Sequence, residues 1–438
     1  MPAIFDRMEI GDFILEHGND DTAALILGRS RWPGIDMDRA VTAIECRRKL
    51  KNKLPEWYAE PGIIYPDKLC AEQCSSSFTA GYKASVISGA TGGSGRVADL
   101  TGGLGVDSLA FSKVAGSVLY NEMDPPRADA AVRNFSLLGA ANISVFSEEV
   151  RPSAGGGSDF WDRVADFRPD IIYMDPARRS GTGNKVFLLE ECSPDILALL
   201  PDIFSHAGKF LVKLSPMADI SMLENRFRKN GVSIEALHIV EYEGECKELL
   251  FLLVPGINET GTDNFPVNIV SEKGTLRVQS GIESGNRAVL FSDEGQLSGR
   301  TLLFEPGKAL SKSGLFNTVC TLAGNGEHPC FKAGASTHLY FPESVEAASS
   351  LEGLGKLFRI RKMLPLCRQS IKSLSKEYPR CEVTARNIPM SSEELRKKLH
   401  SASGGNVHIF GMRIDFATGG RVSSGNYLAV TEQAGFRQ

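Results

Sequence analysis

One run of the sequence, Asp99-Leu100-Thr101-Gly102-Gly103-Leu104-Gly105-Val106-Asp107, sets two carboxylates around three glycines. Further acids follow at intervals: Glu122, then Glu148 and Glu149, then Asp175-Pro176-Ala177-Arg178-Arg179, with Lys213 beyond them. Each of these groups follows or ends an apolar run of strand length. Acids and a glycine loop at the carboxyl ends of successive strands are the parts of a small-molecule site at the crevice of a doubly wound sheet.

Charge narrows what such a loop holds. The dinucleotide pattern G-x-G-x-x-G is not met: Gly103 and Gly105 fit its first two positions, but Ser108 stands at the third. A pyrophosphate wants bare backbone N–H groups at a helix N-terminus, and Asp99 and Asp107 would repel it. S-adenosylmethionine carries a sulfonium and an ammonium, which nearby carboxylates favour. Glu122 is placed to accept both ribose hydroxyls, the job an acid does in dinucleotide folds. Glu149, ahead of Glu148, is placed to accept from the adenine amino group. The expected cofactor set is therefore Asp99, Thr101, Gly102, Gly103, Gly105, Val106, Asp107, Glu122, Met123 and Glu149.

The chemical end is expected at Asp175. Methyl transfer needs a positioned, desolvated nucleophile more than an acid–base relay. The Asp175 carboxylate, turned into the crevice by rigid Pro176, could accept the N–H of a base nitrogen. Arg178 and Arg179 could hold a phosphate or stack on a base. Arg178 therefore counts with Asp175 and Pro176 as catalytic, and with Arg179 and Lys213 as substrate-binding.

These residues need elements to carry them. From about 95 to 255 the hydrophobic period alternates between strand and helix, as in a mostly parallel α/β sheet. Strands are expected at Arg96–Leu100, Ser117–Met123, Ile143–Phe146, Asp170–Met174 and Lys209–Leu214. A hairpin, Ala236–Tyr242 with Lys247–Val254, should close one edge. Asp124 should cap a helix opened by Pro125 and Pro126. Residues 1–88 read as a helical domain and 89–256 as the α/β domain. Residues 257–350 read as a small β-rich module, with runs such as Ala288–Phe291 and Leu302–Phe304, and 351–438 as a final α+β domain. Ser391 and Glu394 make a capping box for a helix in the last of these.

Composition bounds the partners. The 438 residues carry a formal net charge of −4, so any nucleic-acid surface must be local. Two stretches qualify: Arg47–Lys53, and Gly355–His400, where Lys and Arg exceed Asp and Glu by eight. Nine scattered cysteines show neither zinc nor disulfide spacing, so no metal is expected and the thiols should be reduced. With no signal-peptide pattern and no run of about 20 apolar residues, the chain is expected in the cytoplasm and off the membrane.

Asp99-x-Thr101-Gly102-Gly103-x-Gly105-x-Asp107, Glu122 and Asp175-Pro176-Ala177-Arg178 together resemble a class I S-adenosylmethionine-dependent methyltransferase. Leu211–Met217, Glu245–Leu250 and the basic C-terminal segment resemble bacterial members that carry a THUMP-like C-terminal domain. The resemblance implies a Rossmann-like sheet, an N-terminal helical domain, and ferredoxin-like and THUMP-like modules after it. THUMP domains bind RNA, so it implies an RNA substrate, tRNA among the candidates. Two departures bear on the chemistry. Enzymes acting on base nitrogens usually place an aromatic after Asp-Pro-Pro, where Ala177 and Arg178 stand here. The 5-methyluridine enzymes need a cysteine after the fifth strand, where Lys213-Leu214-Ser215-Pro216 stands. The expectation is methylation at a ring or exocyclic nitrogen. Two alternatives stay open: an RNA-binding protein with a degenerate, non-catalytic methyltransferase domain, and a methyltransferase for protein or small molecules.

Overall fold

The computed structural model describes residues 5–155, 158–178, 189, 192–256, 264–324 and 329–436. They divide into two compact units. One comprises Met1–Glu235 with Leu249–Gly261, and the other Ala236–Glu248 with Thr262–Gln438.

The first unit is a doubly wound α/β sheet. Strands β1 (Arg96–Asp99), β2 (Ser117–Asn121), β3 (Ile143–Phe146), β4 (Ile171–Met174) and β5 (Lys209–Leu214) are parallel, in the order β3-β2-β1-β4-β5. Val97, Ala98, Ile171, Ile172 and Met174 are fully buried, as parallel strands covered by helices on both faces must be. The expected hairpin is β6 (Val232–Tyr242) and β7 (Glu245–Pro255), and β7 pairs antiparallel with β5. The β3–β4 crossover carries a helix, Ser158–Phe167.

The N-terminal residues are helical, as expected. Helix α1 (Met37–Lys53) buries Val41, Ile44 and Leu50, and α2 (Ser77–Thr91) leads to β1. Their apolar faces join the sheet's own core. Leu50, Trp57 and Ala80 belong to one cluster with Leu104, Leu109, Tyr120 and Phe135. The last of these come from the glycine loop, helix α3 (Val106–Ser112), β2 and helix α4 (Pro125–Leu137). The N-terminal helices are thus part of what holds the loop. Pro125 and Pro126 open α4 as predicted, but Asp124 makes no side-chain cap hydrogen bond there. Its carboxylate lies 3.4 Å from Arg127 Nε.

The second unit takes the far part of the hairpin. Strand β8 (Pro266–Val270) pairs in parallel with β6 at Leu237–Val240, and β9 (Thr275–Gln279) runs antiparallel to β8. A second sheet draws strands from both sides of residue 350. Strand β10 (Leu302–Pro306) pairs with β11 (Gly355–Pro365), followed by β14 (Arg421–Ala434), β13 (Val407–Thr418) and β12 (Glu382–Arg386). Ala288–Phe291 is not a strand; Phe291 makes one isolated bridge, to Phe416. Helices α5 (Arg368–Glu377) and α6 (Ser392–Leu399) contribute Leu374, Leu395 and Leu399 to a core with Ile409, Leu428 and Val430. The Ser391–Glu394 capping box is present.

Candidate functional site

The glycine loop is built by close approach. The Gly102 N–H donates to Asn121 O at 2.7 Å. A Cβ on Gly102 would lie 2.1 Å from the Tyr120 ring, and one on Gly105 would lie 2.6 Å from Phe135. Gly105 also has φ +90°, in the left-handed region glycine favours. These two glycines answer to the aromatics packed against the loop. Gly103 differs: its φ is +55° and nothing lies within 4 Å of the Cβ position. There a missing side chain leaves room for something else.

Glu122 holds the loop from β2. Its carboxylate accepts the Gly103 N–H at 2.9 Å and the Asp124 N–H at 3.0 Å. Each oxygen keeps a second lone pair for a ligand hydroxyl. Tyr120 Oη donates to Gly103 O at 2.5 Å. Asn121, fully buried, accepts the Glu148 N–H at 3.1 Å and donates to Glu148 O at 2.9 Å, so β2 also fixes the segment after β3. Glu149 is exposed and paired with Arg151, whose hydrogen bond holds its carboxyl below the ordinary value.

The two loop acids have different surroundings. Asp107, in the first turn of α3, faces Lys83 Nζ at 3.2 Å and accepts the Ser75 hydroxyl at 3.1 Å and the Tyr173 hydroxyl at 2.8 Å. Burial raises its pKa, but Lys83 and Lys213, then the Tyr173 and Ser75 hydrogen bonds, outweigh that and hold it below the usual value. Asp99 ends β1 at 1% exposure. It accepts the Thr101 N–H at 3.1 Å and the Ser108 hydroxyl at 2.6 Å. Burial, with the charges of Asp107 and Asp175, pushes its pKa up to about 7 against those two hydrogen bonds. Ser108, which breaks the dinucleotide pattern, is thus the donor that steadies Asp99.

Asp175 follows β4. Its N–H donates to Thr101 Oγ1 at 2.6 Å, and Lys213 Nζ donates to its Oδ2 at 2.5 Å. Thr101 therefore ties the glycine loop to the Asp-Pro-Ala-Arg turn. Lys213 is thereby the counter-ion of Asp175, and it is not itself among the residues that line the cleft. Ala177–Arg178 pairs as a short antiparallel ribbon with Cys192–Ser193.

These groups line one cleft of about 560 Å³, within the range of small-molecule sites. Asp99, Thr101, Gly102, Gly103, Gly105, Val106, Asp107, Glu122, Met123, Glu149 and Asp175 all border it. Pro176 lies in the described turn beside them, and the Arg178 side chain and Arg179 fall outside the described residues. Sequence reasoning missed Lys83 and Tyr173, which act beneath the loop, and Cys70, which lines the cleft from the N-terminal helices together with Gln73, Cys74 and Ser75. The capping-rich stretch Glu72–Thr79, whose sequence reads as a helix entry able to close over the cofactor, supplies Gln73, Cys74 and Ser75, and Ser76 and Thr79 form a capping box opening α2. Nothing in a local pattern marks Lys83, a lone lysine amid alanines and serines.

The first basic stretch is largely spent internally. Arg47, 7% exposed, donates to Glu60 O at 3.1 Å and stacks on Tyr58. Arg48 donates to Gly18 O at 2.7 Å, Lys49 pairs with Glu72, and Lys53 donates to Glu72 O at 2.9 Å. A phosphate-contacting role for this helix is not what its side chains are arranged for. No helix among the described residues is long and apolar enough to cross a membrane.

Comparison with known proteins adds to this geometry. Residues 355–422 match the THUMP domain-like family. No curated protein matches the sequence. Among solved structures, a "putative methyltransferase" from Porphyromonas gingivalis W83 is similar at 26% identity and TM-score 0.79, covering 98% of this chain and 99% of that one. An rRNA methylase from Streptococcus thermophilus matches 42% of this chain and 99% of its own, at 11% identity and TM-score 0.30. A ribosomal protein L11 methylase from Lactobacillus delbrueckii subsp. bulgaricus matches 41% and 77%, at 17% identity and TM-score 0.28. The chain thus carries a THUMP-like segment at residues 355–422 and, over nearly its whole length, shares its fold with that Porphyromonas gingivalis protein.

Proposed function

We propose that the cleft binds S-adenosylmethionine and that the protein methylates a ring or exocyclic nitrogen of an RNA base, tRNA being one candidate, in the cytoplasm. The observation that carries this reading is the meeting of Asp175 with the glycine loop in one cleft, joined through Thr101. The residues suit the cofactor. Gly103 leaves open space where a side chain would stand, Glu122 offers an anchored carboxylate at the end of β2, and among the described residues the lining carries many more carboxylates than cations. Bound there, the cofactor supplies a methyl group already activated for displacement.

The chain's own part is to hold and orient. Lys213 fixes the Asp175 carboxylate through one oxygen, and the other can accept an N–H from the incoming base. The hydrogen bond that the Asp175 N–H donates to Thr101 Oγ1 sets the turn so that the carboxylate and the loop share one cleft. On the second unit, the exposed cations of α5 would contact RNA phosphates.

Incubation with methyl-labelled S-adenosylmethionine and total RNA, then with total protein, tests the substrate class. Label should enter RNA and not protein. Asp175→Ala should lower transfer by roughly 100-fold or more, the scale of a lost positioned proton acceptor, with cofactor affinity little changed. Full activity in Asp175→Ala would remove Asp175 from the mechanism.

A further inference from the structure

Five ionisable side chains surround the floor of the cleft from five elements. They are Asp99 ending β1, Asp107 in α3, Asp175 after β4, Lys213 in β5 and Lys83 in α2. Glu122 borders the same cleft from the end of β2, anchored by backbone N–H groups. The cations are not shared evenly. Lys83, fully buried, pairs with Asp107, and Lys213 pairs with Asp175. Asp99 makes no ion pair with a described residue; its partners are the Thr101 N–H and the Ser108 hydroxyl. Among these five side chains the charges balance when Asp99 carries a proton and leave one negative charge in excess when it does not, with the Glu122 carboxylate a further negative charge at the rim.

That imbalance is a device for telling charge apart, and the inference rests on the cofactor reading above. We propose that Asp99 distinguishes the cationic methyl donor from its neutral product, releasing its proton to solvent when a sulfonium occupies the cleft and keeping it when a thioether does. Only the carboxyl O–H bond breaks, and the proton passes to buffer. The exchange is feasible near neutrality because burial and the flanking Asp107 and Asp175 already hold Asp99 at about 7. Lys83 makes it possible from the N-terminal helices. By neutralising Asp107 it leaves Asp99 as the one carboxyl of the three without a cation of its own.

Titration calorimetry of the full chain at pH 7 tests this, with S-adenosylmethionine and with S-adenosylhomocysteine, each in phosphate and in Tris. The heats in the two buffers give the protons exchanged. About half a proton should be released with the donor, since a group of pKa about 7 is half protonated at that pH, and none with the product. Donor affinity should weaken towards about tenfold per pH unit below 7, while product affinity stays level. Asp99→Asn should abolish proton release and level the pH profile for both ligands. If that variant does not fold, the wild-type comparison in two buffers decides alone. Equal proton counts for the two ligands overturn this inference and leave the cofactor reading standing; binding of neither ligand overturns both.

Discussion

Two stretches of the chain are dense in cations, and the structure uses them in opposite ways. In Arg47–Lys53, four of the five cations bond into their own unit. In Gly355–His400, Arg361, Lys362, Arg386, Arg396 and Lys397 are ion-paired. Arg368, Lys372 and Lys376 are not. They stand four residues apart along α5, all exposed, with no ion pair among the described residues. Residues at that spacing share one helix face. Burial accounts for Arg47, whose side of α1 is packed, so its charge must be satisfied within the fold; Arg48 and Lys49 are exposed and bond to neighbouring segments. The apolar side of α5 carries Leu374 inward and leaves the cations to solvent. Local charge in a sequence is a budget of cations, and only the structure says which are unspent.

The largest effect should come from striking the unspent group. Arg368→Gln, Lys372→Gln and Lys376→Gln together should remove up to three phosphate contacts. Each contact contributes a slope of about 0.7 in log affinity against log salt for single strands. The plot for labelled bulk tRNA should therefore flatten by about 2 units, with affinity at moderate salt falling roughly 10- to 100-fold. Thermal stability should hold, because exposed unpaired cations contribute little to it. An unchanged salt slope would return α5 to an ordinary solvated face.

The fold was more legible than the site, for physical reasons. The parallel strands announce themselves as short, largely apolar runs because most are buried on both faces, β3 at the sheet edge being only half-buried. Pro125-Pro126 and the Ser391–Glu394 box signal helix starts through purely local hydrogen bonding. Within the cleft, the loop, Glu122 and Asp175 were legible because strand ends place them. Lys83 was not, since its meaning comes from Asp107, 24 residues on, and Ser75 and Tyr173 on two other segments. Nor could the sequence say why each glycine is a glycine. Gly102 and Gly105 answer to Tyr120 and Phe135 packed against the loop, and Gly103 to open space in front of it. Ala288–Phe291 misled because only Phe291 is drawn inward, into a core with Phe331 and Phe341, while Val289 is left exposed.

The opposite arm of the comparison predicts stability loss without RNA loss. Arg47→Met keeps the apolar stem and deletes the guanidinium. It gives up a charged hydrogen bond to Glu60 O and the contact with the Tyr58 ring. Together these should cost about 2 to 3 kcal/mol, read as a lower urea midpoint at unchanged slope. RNA affinity at fixed salt should not move. A fall in RNA affinity with no change in midpoint would reverse the assignment of the two stretches.

The smallest effect sharpens the boundary between spent and unspent charge. Lys51 shares α1 with Arg47, yet its ammonium only approaches the Tyr58 ring, at 6.0 Å from the centroid. An exposed cation–π contact of this kind contributes about 0.5 kcal/mol or less. Lys51→Gln should shift the urea midpoint barely beyond error. If it also leaves the RNA salt slope intact, the whole of α1 is structural. If it lowers the slope by about 0.7, one cation of that helix touches phosphate after all, and the division runs between side chains of one helix and not between the two stretches.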